Sequence, residues 1–201
     1  MSGSVDFRTG AYLAGTAEMG LQSAALVQMG RYYGFPATSA GMTSDAKEPG
    51  AEAVLEKFIS TMPGVQVGSD IIVGFGEVES DQALYLEQIL VDNEIAHVCE
   101  RLTTGVTVSP DKDLFEDIIK IGPGGHFLAT KSTRAAARSS EFYMRQFTQH
   151  GSHDTWMEEG KPSLYSKARE KAREILAAPM VDPLAGDIIE KLGVILRKAD
   201  R

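Results

Sequence analysis

The residues that are best placed to do chemistry in this chain follow three segments that predict β-strands. In chain order they are Asp6 and Arg8, then Thr43, Ser44, Asp45 and Lys47, and then Phe75, Glu77, Glu79 and Ser80. In folds built on parallel strands, ligands and catalytic side chains lie at the carboxyl ends of the strands. Carboxylates there would give an acidic field, and an arginine would suit a carboxylate or another anion. These three groups are therefore the first candidates for a site.

Each group also has a structural interpretation that the sequence leaves open. Asp45 lies shortly before a predicted helix and is a good capping residue, with Lys47 as its surface ion-pair partner. Arg8 could belong only to a turn, and Glu77 could cap the helix that follows it. The glycines on either side of Phe75 favour a site, because they would let a ligand approach the backbone.

A glycine-rich loop follows the apolar run 114–121 and supplies another candidate. Its sequence is Gly122-Pro123-Gly124-Gly125-His126-Phe127-Leu128, and three glycines around a proline cannot continue a helix. We predict a sharp turn in which Gly124 or Gly125 has a positive φ, and which holds His126 and Phe127 in a fixed place. A rigid connector between helices, and a histidine that merely closes the loop by a hydrogen bond, are the alternatives.

The long helix predicted over residues 81–104 carries acidic residues and two conceivable zinc ligands. Glu87 and Glu94 share a face with Asp92 on its flank, and we expect a solvated acidic face. His97 and Cys99 are two residues apart, and side chains at that spacing point in different directions on a helix. A zinc ion shared by the two is therefore not expected.

The order of the predicted elements indicates an α/β fold. Helices are expected over residues 16–33, 49–62 and 81–104, and strands over 35–40 and 70–76, of which the second is a continuous apolar run expected to be buried. This alternation is typical of a parallel sheet. After Gly105 the pattern gives only helices, over residues 111–121, 133–145, 152–159, 163–178 and 187–198. We therefore divide the chain into an α/β part, residues 1–105, and a helical extension, residues 106–201, that contains the glycine-rich loop.

Composition excludes several classes of protein. The 201 residues are 43% hydrophobic and 24% charged, which is ordinary for a globular protein. The net charge of −8 argues against a nucleic-acid partner. A single cysteine excludes an intrachain disulfide, and no apolar run approaches the roughly 18 residues of a membrane helix. We expect a cytoplasmic protein without a membrane or nucleic-acid partner.

Four segments together resemble the C-terminal part of the trimethylamine methyltransferase family, the corrinoid-dependent methylamine and betaine demethylases. In chain order they are Arg8-Thr9-Gly10, residues 87–95 (EQILVDNEI), the loop from Gly122 to Leu128, and Trp156-Met157-Glu158-Glu159-Gly160. The resemblance implies a (β/α)8 TIM barrel, a fold of eight strands and about 250 residues. Because only two or three strands are visible here, we expect the C-terminal portion of such a barrel, followed by a helical extension.

The resemblance also implies a function. Members of the family move a methyl group from a tertiary or quaternary methylated amine, of the trimethylamine or betaine type, to the Co(I) corrinoid of a separate carrier protein. This chain would therefore bind no cofactor tightly, and methylcobalamin or a related corrinoid would be supplied by the carrier. The amine, the carrier, and the missing N-terminal barrel half or a second copy would be its partners.

Roles for the candidate residues follow from that substrate, since aromatic walls and an acidic field suit a cationic amine. The catalytic candidates are Asp45, Glu77 and His126, and the substrate-binding candidates are Arg8, Thr43, Phe75 and Phe127. No metal site is expected. An inactive fragment or split subunit that acts as an interaction module, and a metal-dependent barrel enzyme, are the alternatives.

Overall fold

A computed structural model describes residues 3–179 and 184–199 of the chain, and its first element is a short antiparallel hairpin. Strand β1, Ser4–Val5, pairs with β2, Tyr12–Leu13, and Gly10 in the turn between them has a φ of +75°. Asp6 and Arg8 therefore do follow a strand, but that strand belongs to a hairpin and not to a parallel sheet.

Helix α1, Ala17–Tyr32, has the boundaries that the sequence predicts. The side chain of Thr16 caps it by accepting a hydrogen bond from the Met19 N–H. At the other end Gly34 has a φ of +74°, and the Phe35 N–H donates to the Gly30 carbonyl, as in a glycine-terminated helix. Both end signals are confirmed.

A β-α-β unit follows, which consists of β3, Thr38–Ser39, α2, Ala51–Gln66, and β4, Ile71–Ile72. The two strands are parallel, with Thr38 opposite Ile71 and Ser39 opposite Ile72, so the predicted parallel pairing is confirmed. The predicted burial of residues 70–76 is wrong, because Ile71 is 56% exposed. A sheet of two strands leaves a face and two edges that no other described strand covers.

Helix α2 continues through Pro63, although the sequence predicts that it stops there. Proline cannot donate the hydrogen bond that the Ile59 carbonyl would otherwise accept. That carbonyl instead faces α1 at Gly20, where a β-carbon would lie 2.6 Å from the Ile59 oxygen and 3.1 Å from the Pro63 ring. Pro63 thus lies where α1 and α2 are in close contact.

A second hairpin, which the sequence does not predict, precedes the long helix. Strand β5, Glu77–Val78, pairs antiparallel with β6, Ala83–Leu84. Three consecutive residues of its turn have left-handed backbones, Glu79, Ser80 and Asp81, with φ of +55°, +51° and +70°. Helix α3, Leu86–Thr104, consequently begins five residues later than predicted, and it ends at Gly105 (φ +68°) as predicted.

In the remainder of the described chain, all regular elements are helices. They comprise a 3-10 turn, Pro110–Lys112, and helices α4, Phe115–Ile121, α5, Lys131–Ala136, α6, His153–Glu158, α7, Leu164–Ala177, and α8, Gly186–Ala199. The helix predicted over 133–145 ends early, at Ala136, and the segment after it makes hydrogen bonds to α3. Arg101 donates to the Glu141 carbonyl at 3.0 Å, and the N–H of Phe147 donates to Glu94 at 2.9 Å.

Helices α1, α2, α3 and α7 pack side by side in that order and form the main body of the protein. The cluster between them contains Met42, Val91, Ile95, Cys99, Phe147 and Ala168. Because Phe147 and Ala168 belong to the helical extension, the two predicted parts of the chain share one core.

The described residues form a mixed α/β fold of eight α-helices and three two-stranded sheets. Within residues 3–179 and 184–199, no helix combines the length and the apolar character needed to cross a membrane.

Candidate functional site

Two loops meet at the carboxyl ends of β3 and β4, and we call them, with the side chains beneath them, the strand-end site. The first loop is 41–46 and the second is 73–81. The Glu79 N–H donates to the Ala46 carbonyl and the Ser80 N–H donates to the Ser44 carbonyl, both at 2.8 Å. Backbone hydrogen bonds thus fix the two loops to each other.

The first loop is shaped by a carboxylate of α2. One oxygen of Glu56 accepts hydrogen bonds from the Ser44 hydroxyl and the Asp45 N–H, each at 2.7 Å. Just before them, Met42 is fully buried with a φ of +55°, a conformation that is rare for a residue with a side chain. Its N–H donates to the Thr61 hydroxyl at 2.8 Å. Strain of this kind collects at functional sites.

Asp45 joins three segments of the chain. Its carboxylate accepts the N–H groups of Ala14 and Gly15 at 2.7 and 2.9 Å, and the hydroxyl of Ser80 at 2.7 Å. It does not cap α2, whose N-terminal cap is Gly50. The capping alternative is therefore wrong, and the carboxylate instead holds the approach to α1 against the β5–β6 turn.

The second loop approaches the first at its glycines. Gly74 has a φ of +101°, and a β-carbon there would lie 2.7 Å from the Gly41 carbonyl oxygen. Gly76 has a φ of +85°, and its N–H donates to Asp92 at 2.7 Å. Gly74 is therefore needed for contact between the two loops, and Gly76 for contact between the second loop and α3.

A buried ion pair lies beneath both loops. Lys57 of α2 and Asp92 of α3 are 0% exposed, and the Lys57 Nζ lies 2.9 Å from Asp92 Oδ2. The same ammonium donates to the carbonyls of Met42 at 2.6 Å and Gly74 at 3.3 Å. Its three N–H bonds thus meet three oxygens, one from each loop and one from α3.

The ion pair continues into a polar chain that reaches the helical extension. Asp92 Oδ1 accepts a hydrogen bond from the Gln88 amide at 2.6 Å, and the Gln88 oxygen accepts one from the Tyr165 hydroxyl at 2.8 Å. Burial raises the pKa of Tyr165 to about 12, so its hydroxyl is a donor at neutral pH.

The electrostatics of the site follow from burial. Burial lowers the pKa of Lys57 and raises the pKa of Asp92, while each charge opposes the shift of the other. The ionised pair fits the geometry, since every ammonium hydrogen has an acceptor. Burial also raises the pKa of Glu77, and the charge and hydrogen bond of Asp81 raise it further. Glu77 thus keeps its proton to a higher pH than an exposed glutamate would.

The structure brings several predicted residues together. Thr43 is buried and donates to the Ala14 carbonyl at 2.8 Å, Phe75 is half-buried against the core cluster, and Glu77 lies on β5 at the edge of the second loop. Together with Asp45, these side chains lie in the strand-end site. Their predicted catalytic and binding roles stay predictions.

Other predicted residues lie elsewhere. The Arg8 side chain is 91% exposed on the first hairpin, where it contacts Asp6 at 3.3 Å. Lys47 lies 3.9 Å from Glu79 on the surface, so it pairs with Glu79 and not with Asp45. His126 and Phe127 are exposed, and the Thr130 N–H and hydroxyl donate to the Phe127 carbonyl within the glycine-rich loop.

The backbone prediction for that loop is confirmed at one of its two glycines. Gly124 has a φ of +82°, and Gly122, two residues earlier, also has a positive φ, of +66°. At Gly125 the constraint is steric, since a β-carbon there would lie 2.5 Å from the Ile121 side chain.

The acidic residues of α3 are not a solvated face, so that expectation is wrong. Asp92 is 0% and Glu94 6% exposed, and Glu94 accepts the N–H groups of Gln146 and Phe147. Glu87 accepts a hydrogen bond from Arg169 of α7 at 2.8 Å. Each carboxylate of the segment 87–95 therefore connects α3 to another part of the protein.

Sequence reasoning did not single out Lys57 or Gln88. A signal for Lys57 exists, because it stands in a row with Ala53, Ser60 and Gly64 at helical spacing, and all four are buried. A lysine within a stripe of small residues indicates an ammonium that enters the core to meet a partner. Gln88 stands four residues before Asp92, on the same face of α3.

The zinc hypothesis has no support in the structure. His97 is exposed, lies 3.4 Å from Glu100, and lines a surface cleft of about 340 Å³ with Tyr143. Cys99 is buried, and burial raises the pKa of its thiol to about 11. Among residues 3–179 and 184–199, no three His, Cys, Asp or Glu side chains are grouped so that they could hold a metal ion.

Comparison with known proteins gives consistent matches over the chain. The family model for trimethylamine methyltransferase matches residues 1–200. Trimethylamine methyltransferase MttB2 of Methanosarcina mazei is 33% identical over 196 residues, which cover 98% of this chain and 39% of that protein. The glycine betaine methyltransferase of Desulfitobacterium hafniense is 34% identical over 184 residues, 89% of this chain and 38% of that protein. The chain thus spans about two fifths of the length of the curated relatives it matches.

The match extends over both strand-end loops, the Lys57–Asp92 pair and the helical extension that contacts them. It confirms the resemblance that the four sequence segments carry. The chain belongs to the trimethylamine methyltransferase family.

Proposed function

We propose that this chain forms part of an enzyme that moves a methyl group from a tertiary or quaternary methylated amine to the corrinoid of a carrier protein. The observation that carries the proposal is the family match over residues 1–200. Similar proteins are named for trimethylamine and for glycine betaine, and both compounds carry a methylated cationic nitrogen. We therefore propose this class of amine as the substrate.

The strand-end site supplies charge of the right sign for such a substrate. Asp45, Glu77 and Asp81 lie around the two loops, and the only lysine beneath the loops among the described residues, Lys57, is already neutralised by Asp92. An acidic field next to Phe75 would attract an ammonium group and give it an aromatic wall. In this role the side chains bind and orient the amine, so that one methyl group points away from the protein.

The corrinoid belongs to the carrier in this proposal. The polar groups of the strand-end site are carboxylates, hydroxyls and backbone carbonyls, which suit an amine cation, and we assign none of them to the corrinoid. The carrier's corrinoid supplies the nucleophile that accepts the methyl group. This chain's task is to hold the amine, exclude water and leave the methyl group accessible.

We also propose that the β3–α2–β4 unit is a segment of a (β/α)8 barrel. The parallel pairing of β3 and β4 supports it, as does the partial coverage of the relatives. Ile71 is 56% and Val73 37% exposed at the edge strand, and both would be covered by further strands. The other strands would come from the polypeptide that corresponds to the rest of those relatives, or from a second copy.

Methyl transfer is measured with the chain alone and with a polypeptide that corresponds to the remaining part of the M. mazei relative. Each sample receives cob(I)alamin under reducing conditions, together with trimethylamine, glycine betaine or no amine, and methylcobalamin is followed by absorbance. We expect transfer in the completed protein with at least one amine. Absence of transfer with every methylated amine, although the two polypeptides form a stable complex, would overturn the proposal.

Two variants link the reaction to the site. Glu77→Gln keeps the size of the side chain but removes its charge, and it should raise the KM for the amine at least tenfold, by roughly 1.4 kcal/mol of lost binding. Glu79→Gln is the matched control, because Glu79 is two residues away and contacts only the surface Lys47 among the ion pairs of the described residues. Equal effects of the two changes would exclude a specific role for Glu77.

An interaction module without activity is the second candidate, and one observation favours it. The helices α4 and α8 expose apolar side chains, among them Ile119 at 67% and Ile195 at 61%. Complex formation without methyl transfer, in the same experiment, is the outcome that this candidate predicts.

A further inference from the structure

We propose that Tyr165, on helix α7 of the extension, is a positioning residue for the strand-end site and acts through Gln88 and Asp92 on the Gly74–Gly76 turn. The inference rests on the proposed function only in treating that region as the site. The contacts that carry it are independent of the reaction.

The first step is the orientation of Gln88. Its side chain is 0% exposed, so its oxygen and its amide both need partners within the protein. The Tyr165 hydroxyl donates to the oxygen at 2.8 Å, which directs the amide nitrogen to Asp92 Oδ1 at 2.6 Å. Without that hydroxyl, the Gln88 oxygen would be a buried acceptor that has lost its donor, and the side chain would move to find another.

The second step is the position of Asp92. Gln88 holds one carboxylate oxygen, and the other accepts the Gly76 N–H at 2.7 Å and the Lys57 ammonium at 2.9 Å. A rotation of the carboxylate after the loss of the Gln88 amide would weaken one or both of these bonds. A contact with the extension thus determines the orientation of Asp92, and Asp92 in turn positions the second loop and Lys57.

The third step is transmission to the first loop. Lys57 binds the Met42 carbonyl at 2.6 Å and the Gly74 carbonyl at 3.3 Å, and Gly74 is packed so closely on Gly41 that a β-carbon would not fit. Movement of either loop therefore displaces the other. The backbone of Met42, strained at a φ of +55°, is held in this arrangement by the same ammonium.

The packing of α7 supports a role for Tyr165 beyond attachment of the extension. Arg169 already pairs with Glu87 at 2.8 Å, and Ala168 belongs to the core cluster. These contacts would hold α7 on α3 without any polar group at position 165. The hydroxyl lies closer to the Gln88 oxygen, at 2.8 Å, than to the Gly50 carbonyl, at 3.3 Å, and Gln88 is the buried amide on α3 that touches Asp92.

The test uses the ¹⁵N-labelled chain and the Gly76 amide as a reporter of the hydrogen bond to Asp92. Tyr165→Phe removes one oxygen atom and keeps the ring, so packing changes little. We expect the Gly76 amide resonance to shift and its hydrogen exchange to quicken roughly tenfold, as for a weakened hydrogen bond. Tyr143→Phe is the matched control, because Tyr143 lies on the same extension but beside His97, at a ring distance of 6.0 Å, and outside the polar chain. It should leave the Gly76 resonance in place.

A second variant keeps the test decisive if Tyr165→Phe does not fold. Gln88→Asn retains the amide but is one methylene shorter, so it cannot contact Tyr165 and Asp92 together, and the same Gly76 shift is expected. An unchanged Gly76 resonance in the folded variants would overturn the proposal, even if their stability fell. In the completed enzyme, Tyr165→Phe should change the KM for the amine. A Gly76 shift in the chain, together with no methyl transfer by the completed protein in a stable complex, would support this inference and contradict the proposed function.

Discussion

At the scale of single residues, the most consequential group is the buried pair Lys57–Asp92. Both side chains are fully buried, and the pair joins two loops and two helices. Removal of one partner of such a pair leaves a buried charge without compensation, which is costly, whereas an apolar replacement of both is often tolerated. The pair therefore contributes specificity to the position of the loops at least as much as it contributes stability.

Substitution of Lys57 by methionine should lower the free energy of unfolding by about 3–5 kcal/mol, because Asp92 is left unpaired. Urea denaturation followed by circular dichroism measures the change. Lys191→Met is the control, since Lys191 pairs with Asp187 on the surface, where both side chains are mostly exposed, and its loss should cost less than about 1 kcal/mol. The double variant Lys57→Met with Asp92→Leu should recover part of the loss, and a purely additive result would contradict the interpretation as a pair.

Glu77 predicts a pH dependence of stability with a defined sign. Burial and Asp81 raise its pKa in the folded protein, so folding favours the protonated form. Its contribution is fully present below the pKa of the unfolded chain and is lost as pH rises through the raised pKa. Glu77→Gln, which is always neutral, should match the wild type at low pH and become relatively more stable as pH rises.

The control for that titration has the opposite sign. The hydrogen bond from Lys112 lowers the pKa of Glu141, so its contribution is present above the pKa of the unfolded chain and is lost as pH falls. Glu141→Gln should therefore be the less stable protein near neutral pH and should approach the wild type in acid. Urea midpoints measured at several pH values distinguish the two, and parallel curves for both variants would contradict the assignment of Glu77.

At the scale of elements, the local signals were reliable where capping decides the boundary. Thr16, Ser152 and Ser163 each accept a hydrogen bond from the backbone of the helix that they precede, and Gly105 ends α3. The misses occurred where long-range contacts decide. The extension of α2 through Pro63 depends on α1, and the β5–β6 hairpin depends on left-handed residues that are not glycine. A one-dimensional pattern does not contain those contacts.

Gly20 tests the contact between α1 and α2. A β-carbon there would lie 2.6 Å from the Ile59 carbonyl oxygen, and the Pro63 ring leaves no space into which it could shift. Gly20→Ala should separate the helices and cost about 1–3 kcal/mol, although alanine is the better helix former. Gly193→Ala within α8 is the control, because the nearest atom is the flexible end of Arg197 at 3.3 Å. Thermal unfolding should show a decrease for the first variant and no decrease for the second.

At the scale of the whole molecule, the site was predictable in part. The sequence placed Thr43, Asp45, Phe75 and Glu77 after strands, and the structure brings them to the same pair of loops. It did not predict the ion pair beneath them, since Lys57 and Asp92 are 35 residues apart and on different helices. The predicted His126 lies in the exposed glycine-rich loop because α4 and α5, which flank it, pack little against the α/β part.

The exposed surface predicts a change when the polypeptide proposed to complete the barrel is added. Ile71 on the edge strand is 56% exposed, and Leu21, Tyr32 and Phe35 around α1 are 66%, 80% and 67% exposed. The isolated chain should therefore bind a dye that detects apolar surface. Addition of the complementary polypeptide should reduce the dye signal and slow amide exchange in β3 and β4. Unchanged exchange in a stable complex would place the interface on another face.

The buried thiol of Cys99 is a natural probe of local opening. It is the single thiol of the chain, it lies 0% exposed in the core cluster, and burial raises its pKa to about 11. A thiol reagent can therefore react only after the packing around Cys99 has opened, and the thiolate then forms at its ordinary pKa. The rate of labelling under native conditions reports how often this part of the core opens, without any engineered probe. Each molecule that opens gains one label, and mass spectrometry measures the labelled fraction.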